Sequence, residues 1–301
     1  MAATLVIDTS YGSTVGIVGR EPIVETDSRT HVEKLQVNIA RAVADAGLAP
    51  ADLDRIVVGV GPAPFTGLRA GIVAAKALAF ATGAKLLGQN VLEPQAELMF
   101  GVMTGNGAFD GVDMLTGVPR IVPAGAEIDP ASASEVDRHV TLCVNDARRK
   151  QLYFTLVHGT AQNPDAAADR WIPMDIDYPQ RIVERVLEAL AAHGAGERAA
   201  GHDVRYVVDV IGHGAAKYAA AWDGLGEAKG AVVDGSLLDC GAAGLAMFAG
   251  CALDREARGG KPEPVEPLYL RRPDAEVPNP LKHVLGHGGT HGDGERKDAA
   301  R

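Results

Sequence analysis

The sequence has few of the residues that stabilise secreted or metal-dependent proteins. Its 301 residues include only three cysteines, Cys143, Cys240 and Cys251, and their spacing matches no zinc motif. The odd count fits buried free thiols in a reducing compartment. Basic residues are a minority, with 29 lysines and arginines against 39 acidic residues. The net charge of −10 argues against a general affinity for phosphate backbones, so work on nucleic acid would need a partner's surface.

Targeting signals and long apolar runs are scarce as well. The chain opens on a strand pattern without a basic segment followed by an apolar one, which predicts a protein without a signal peptide. The longest apolar stretch, Ala70 to Ala84, carries Lys76 and is shorter than the roughly 18 residues that a membrane span needs. We therefore expect a cytoplasmic protein that makes no contact with membranes.

A β-hairpin pattern opens each half of the chain. Residues 4–18 contain two apolar runs around the turn residues Ser10, Gly12 and Ser13, and residues 140–157 repeat the pattern around a polar turn. Helices and strands alternate after each hairpin: helices at 31–46, 67–82 and 179–192, and strands at 56–60 and 206–211. This duplicated order predicts two α/β halves with the fold of actin, sugar kinases and heat-shock ATPases (the ASKHA fold).

Composition sets the expected boundaries. We predict an N-terminal half over residues 1–105, an insertion over 106–135, a C-terminal half over 136–272 and a disordered tail over 273–301. A helix at 240–258 is expected to pack back on the N-terminal half. The tail contains His287 and His291 in the sequence HGGTH, and the glycines between them favour an incidental pair over a metal site.

The junction between residues 61 and 71, GPAPFTGLRAG, is the most informative segment. Glycines and prolines end the strand there, and Thr66 is positioned to cap the next helix. That helix is apolar almost all round from Ala70 to Ala81, whereas a surface helix has a polar face. One side can cover its own sheet. The other side needs a further element of this chain or a second protein.

The hairpins also suggest a nucleotide site. In the ASKHA fold the two hairpin turns hold phosphates through backbone N–H groups, and Asp8, Thr9, Ser10 and Gly12 could form one side. The other turn, Asn145 to Lys150, contains no glycine, and its bulky side chains hinder a close approach. The junction lacks GxxxxGK[ST], which excludes a P-loop. We interpret the chain as having the ASKHA fold with a degraded phosphate-binding site.

Two charged clusters have alternative interpretations. Arg148 and Arg149, beside Asp146, form either a solvated turn or a site for a partner's carboxylates, and neither is favoured. His31 precedes Glu33 by two residues, so the pair does not share a helix face. Thr30 with Glu33 fits a capping box, which makes catalysis by His31 unnecessary.

Four segments in order resemble the bacterial TsaB family, also called YeaZ-type. They are Ile7-Asp8-Thr9-Ser10, His31-x-Glu33-x-Leu35, GPAPFTGLRAG, and Asp146-Ala147-Arg148-Arg149 followed by Tyr153. The closing Pro267-Leu268-Tyr269-Leu270-Arg271 is similar to the family's ending. The sequence departs from the family in reading Ala63-Pro64 where the family has Gly-Ser, and in insertions near 101–135, 159–170 and 194–204.

The resemblance implies a non-catalytic subunit of the machinery that makes threonylcarbamoyladenosine at adenosine 37 of tRNAs reading codons that begin with A. It implies binding to a TsaD-type catalytic subunit, contact with a TsaE-type ATPase, and contact with tRNA only through the complex. No cofactor is expected to bind firmly, beyond a weak ATP or ADP contact within the complex. A homodimer is expected when the partner is absent.

By the same resemblance, helices 31–46 and 67–82 would form the partner interface. The residues expected there are His31, Glu33, Leu35, Arg69, Ile72, Ala74, Lys76 and Leu78. The main alternative is a stand-alone ATPase or kinase with the actin-like fold, which would depend on Asp8.

Overall fold

Two five-stranded sheets with the same topology form the framework. The computed structural model describes residues 2–27, 30–159 and 169–271. The first sheet contains β1 (Thr4–Asp8), β2 (Ser13–Ile17), β3 (Ile23–Glu25), β4 (Arg55–Gly59) and β5 (Lys85–Gln89). The second contains β6 (His139–Asp146), β7 (Leu152–His158), β8 (Asp169–Asp177), β9 (Val207–Ile211) and β10 (Lys229–Val233).

The strand orders show the duplication. The first sheet runs β3-β2-β1-β4-β5 and the second β8-β7-β6-β9-β10. In each, the first three strands form an antiparallel meander, the fourth strand pairs parallel with the first, and the fifth pairs parallel with the fourth. The two predicted hairpins and the ASKHA-like fold are therefore confirmed.

Helices lie on both faces of the sheets. They are α1 (His31–Asp45), α2 (Phe65–Thr82), α3 (Glu93–Met103), α4 (Pro130–Asp137), α5 (Pro179–Ala199), α6 (Ala219–Trp222) and α7 (Gly241–Ala257). Short 3₁₀ turns at 50–52, 107–109, 113–115, 216–218, 223–228 and 237–240 connect them. Gly83 ends α2 with φ 77°, a left-handed conformation that glycine adopts without steric cost.

The alternation of side chains along each central strand builds three apolar layers. Leu5 and Ile7 of β1 face α1 and α2, whereas Val6 faces a central layer. That layer also holds apolar residues of β4, β9, β10, α3 and α7, among them Phe248. A third cluster lies between the second sheet and α5 and α6, around Trp222. Period-two alternation places adjacent residues on opposite faces, so β1 serves two layers.

Each half contributes one helix to the other half's sheet. Helix α7 packs on β5 and β1 of the first sheet, as predicted for residues 240–258. Helix α3, from the N-terminal half, packs on β6 and β7 of the second sheet. The Gln95 side chain donates to the Val144 carbonyl oxygen at 3.2 Å, which ties α3 to β6. Residues 1–270 accordingly form one compact unit.

The predicted insertion at 106–135 is not a simple surface loop. Phe109, Leu115 and Val118 are buried in the central layer, and Val122 is buried as well. The segment near 194–204, also interpreted as an insertion, includes the last turns of α5, which extends to Ala199 rather than 192. The tail at 273–301 and most of the segment near 159–170 lie outside the described residues, and so do the predictions made for them.

Candidate functional site

Large apolar side chains project into solvent from α1 and α2. Phe80 is 93% exposed, Val37 66% and Val73 64%. Val73, Ala77 and Phe80 follow one another at helical spacing along α2, and α1 packs beside that helix. We call Val37, Val73, Ala77 and Phe80 the outer helix face. An aromatic side chain that is almost fully solvated on a neighbouring pair of helices is typical of a surface that another molecule covers.

Three of the predicted contact residues face the wrong way. Leu35, Ile72 and Ala74 are only 1%, 3% and 5% exposed, because they fill the layer between these helices and the first sheet. Their assignment to a partner surface is wrong. Leu78 is half-buried against the same layer.

The other predicted contact residues are placed differently. Glu33, Arg69 and Lys76 are exposed. His31 is the first residue of α1, and its side chain is not among those described.

Arg69 is held by the C-terminal segment of the chain. Its guanidinium lies over the rings of Phe65 and Tyr269, 5.8 and 5.3 Å from their centroids, and its Nε donates to the Tyr269 hydroxyl. The Leu268 N–H donates to the Val60 carbonyl oxygen at 2.8 Å, so the segment is fixed to the end of β4. The GPAPFTGLRAG junction and the closing PLYLR sequence are therefore two sides of one contact.

Two predicted helix caps do not form. Helix α2 begins at Phe65 after Pro64, two residues earlier than a Thr66 cap requires, and Pro64 offers no side-chain acceptor. Thr30 is the N-cap of α1 but makes no side-chain capping bond, so the predicted capping box with Glu33 is wrong. The first N–H groups of α2 are left without a side-chain cap, which makes this helix end electropositive.

A cleft at the start of α2 brings the separate motifs together. Its volume is about 1050 Å³, and its walls come from the first hairpin turn, the starts of α1 and α2, and the β6–β7 turn. Among its lining residues are Thr9, Ser10, Gly12, Glu33, Phe65, Thr66, Asp146, Arg148 and Arg149. Lys217 also lines the cleft and was not foreseen, because it lies about 70 residues after the basic turn.

The β6–β7 turn reaches a tight conformation without glycine. Arg148, Arg149 and Lys150 have φ angles of 61°, 52° and 62°, in the left-handed region. Each such residue costs about 1–2 kcal/mol relative to a right-handed conformation. The Asp146 carboxylate stabilises the turn by accepting from the Arg148 N–H at 2.8 Å and from Lys217 Nζ at 2.8 Å. Asp146 thus acts within the chain.

Asp8 does not face the cleft. Its carboxylate is buried and accepts from the Ser10 N–H at 3.1 Å and the Ser10 hydroxyl at 2.8 Å. Burial raises the pKa of the Asp8 carboxyl, an effect that the Ser10 bonds oppose. Asp8 lines only a water-sized cavity of about 20 Å³, whose wall includes the stacked rings of Tyr11 and His213, 3.7 Å apart.

Within the described ranges, no group of three or more His, Cys, Asp or Glu side chains has the arrangement of a metal site. Two helical segments, Phe65–Thr82 and Leu237–Ala257, have the length and mean hydropathy of a membrane span. The expectation that every apolar stretch is too short was wrong for these segments. Both pack on the first sheet through α2 and α7, as core helices do.

The chain is similar to a transferase family in sequence and to a solved structure in fold. A family model of TsaD, tRNA N6-adenosine threonylcarbamoyltransferase, matches residues 19–105, which contain α1, α2 and α3. A solved structure of YeaZ from Pseudomonas aeruginosa covers 90% of this chain and is itself covered completely, with a TM-score of 0.51 at 20% identity. The chain has the YeaZ fold. The fold that the resemblance to the YeaZ-type family implies is thereby confirmed.

Sequence relatives match a smaller part of the chain. An uncharacterised protein of Mycobacterium tuberculosis is 45% identical over 95 residues, which is 29% of this chain and 45% of that protein. A tRNA N6-adenosine threonylcarbamoyltransferase of Paracoccus denitrificans is 34% identical over 128 residues, 38% of this chain and 35% of the transferase. The matches span less than half the length of these relatives. The chain is thus similar in fold to YeaZ over most of its length, and similar in sequence to the transferases over a smaller part.

Proposed function

We propose that this chain is the non-catalytic, partner-binding subunit of a complex that forms threonylcarbamoyladenosine in tRNA. Its partner would be a TsaD-type catalytic subunit that docks on the outer helix face. The observation that carries the proposal is the exposure of Phe80, Val73 and Val37 on two adjacent helices of a protein with the YeaZ fold.

The exposed area favours a permanent or semi-permanent partner. Each large apolar side chain that moves from water into an interface contributes about 1.5–3 kcal/mol. Ala77 adds a small residue between Val73 and Phe80, where a partner helix can approach closely. Two exposed cations lie close in sequence to the outer helix face: Arg41 follows Val37 on α1, and Lys76 precedes Ala77 on α2. They favour a partner with acidic residues at the edge of its interface.

The interior of the hairpin region supports a role without catalysis. Asp8, the carboxylate that would have to hold a metal's waters, is bonded to Ser10 and closed off from the cleft. The second turn presents Arg148 and Arg149 in place of glycines. A phosphate chain would meet side chains there before it met backbone N–H groups.

The test is a matched pair of substitutions on exposed alanines. Ala77→Arg places a cation in the outer helix face, whereas Ala191→Arg places one on the solvent side of α5, on the other sheet. We expect Ala77→Arg to abolish co-purification with the TsaD-type subunit and Ala191→Arg to leave it intact, with both variants folded by circular dichroism. Equal binding by the two variants would refute the proposed interface.

The large cleft keeps a second function open to test, that of a stand-alone ATPase or kinase. Thr9, Ser10 and Gly12 face it opposite Arg148 and Lys217, which gives it hydroxyl, backbone and cationic groups suited to an anion. In the main proposal, ATP or ADP touches these groups only weakly and within the complex. Purified protein that hydrolyses ATP, with loss of turnover in Asp8→Ala, would favour the second function; turnover at background would remove it.

The remaining partners follow from the same proposal. The net charge of −10 makes the chain a poor tRNA ligand by itself, so tRNA would be bound by the assembled complex. A TsaE-type ATPase would act on the pair, in the cytoplasm. Without a TsaD-type partner the outer helix face would pair with a second copy of the chain, which size-exclusion chromatography over a concentration series measures.

A further inference from the structure

A second cavity is lined by none of the residues of α1 and α2, which carry the outer helix face. It has a volume of about 550 Å³ and lies between the C-terminal half of α3, helix α4, the start of β6 and the end of β7. Small-molecule sites commonly have volumes of roughly 300–1,000 Å³ and mainly apolar walls. The apolar part of this wall is formed by Ala96, Phe100, Met103, Ile128 and Val136.

One buried histidine supplies the wall's oriented polar group. His139 lies at the start of β6 with its side chain 6% exposed, and its Nδ1 is 2.6 Å from Oδ2 of Asp209 on β9. Asp209 is completely buried, and its Oδ1 accepts from the Ala231 N–H at 2.7 Å. The carboxylate therefore accepts a hydrogen bond from Nδ1–H, so Nε2 is the ring nitrogen left for the cavity.

That Nε2 has no hydrogen-bond partner among the described residues. Its nearest carboxylate oxygen, Oε1 of Glu135, is 4.0 Å away, beyond hydrogen-bond distance. A buried histidine–aspartate pair is expensive to desolvate, and apolar residues of similar size would stabilise the fold as well or better. The pair is explained more fully by a ligand that donates a hydrogen bond to Nε2.

We propose that this cavity binds a small, largely apolar molecule that carries one N–H or O–H donor. The donor would bond to His139 Nε2, and the apolar body would lie against Phe100, Met103 and Val136. Glu135 and Asp137 beside the cavity disfavour an anionic ligand. The site is separate from the outer helix face and does not depend on the partner proposed above.

Indole, 1-methylindole and indole-3-acetate test the proposal as probes in solution. Indole has an apolar body and one N–H donor, 1-methylindole lacks the donor, and the acetate adds an anion. We expect saturable millimolar or tighter binding of indole to the full chain, about fivefold to tenfold weaker binding of 1-methylindole, and weaker binding still of the acetate. The ¹⁵N resonance of His139 Nε2 should move further at saturation with indole than with 1-methylindole, which donates no hydrogen bond.

Two variants separate binding from folding. His139→Phe removes the acceptor but leaves Asp209 buried without its partner, so it can fail to fold. Ala133→Phe instead fills the cavity from the exposed side of α4, and Ala131→Phe places the same ring on α4 away from the cavity wall. Indole binding should be lost at least tenfold in Ala133→Phe and kept in Ala131→Phe, with partner binding unchanged in both. Absence of saturable indole binding, or equal binding by the two variants, would overturn the proposal.

Discussion

Phe80→Ala should have opposite effects on partner affinity and on the stability of the chain. The ring is 93% exposed, so almost none of its apolar area contributes to folding and nearly all of it is available to a partner. Burial of a phenylalanine contributes about 1.5–3 kcal/mol. Loss of about 2 kcal/mol weakens the dissociation constant of the complex with the TsaD-type subunit by roughly 30-fold.

The free energy of unfolding should move in the other direction. Alanine has a higher helix propensity than phenylalanine by about 0.5 kcal/mol, and the substitution leaves no cavity because Phe80 packs on nothing in the core. Leu68 lies on the same helix and is completely buried. Its substitution by alanine should lower the free energy of unfolding of the chain by about 2–5 kcal/mol. Calorimetric titration against the partner, with urea unfolding of the isolated chain, measures both quantities.

Leu187→Ala is the control for this prediction. Leu187 is also an exposed apolar residue, 39% exposed, but it lies on α5 over the second sheet. Its substitution should leave the dissociation constant unchanged. An unchanged affinity for Phe80→Ala would show that the partner does not bury the ring. A stability loss as large as that of the Leu68 variant would show that this chain covers it.

Further predictions concern the hairpin and the thiols. Gly71→Ala should destabilise the chain by about 1–3 kcal/mol, because the new Cβ would lie 2.3 Å from Thr9 Oγ1. In a double-mutant cycle measured by urea unfolding, adding Thr9→Ala should restore most of this loss. Absence of rescue would show that the strain arises elsewhere. Burial raises the pKa of Asp8, so its folded form holds a proton more tightly than the unfolded chain. The stability from this proton is present at acid pH and lost as pH rises through the raised pKa; Asp8→Asn should abolish that fall in pH-dependent unfolding, and an unaltered slope would refute the assignment. Burial raises the pKa values of all three cysteine thiols, that of Cys240 to about 12. The cysteines should therefore resist alkylation at pH 8 in the native chain and react fully in urea. Rapid labelling of the native protein would contradict this prediction.

The sequence predicts the architecture well because its strands are short, β-branched and regularly spaced. Residues 4–18 and 140–157 each contain two apolar runs around a turn, and both form the expected antiparallel pairs. Packing across the two halves is harder to predict. Helix α3 follows β5 in the chain but packs on β6 and β7, and no local pattern in residues 93–103 indicates which sheet it will cover.

The exposed apolar side chains lie on the two helices predicted for the partner surface, but they are not the side chains that were named there. Helix α2 is apolar almost all round, so no polar face fixes which side points outward. Ile72 and Ala74 were therefore assigned to the surface, although they face the sheet, and Phe80 was missed. On α1 the buried stripe of Leu35, Ile39 and Val43 places Val37 on the opposite side, a signal that was available in the sequence.

Reconstitution of tRNA modification tests the central claim most directly. Threonylcarbamoyladenosine would be measured in tRNA incubated with threonylcarbamoyl-adenylate, the TsaD-type subunit, and this chain as wild type, Ala77→Arg or Ala191→Arg. The account predicts product only when both proteins are present, full activity with Ala191→Arg and none with Ala77→Arg. Product from this chain alone, or full activity with Ala77→Arg, would contradict it.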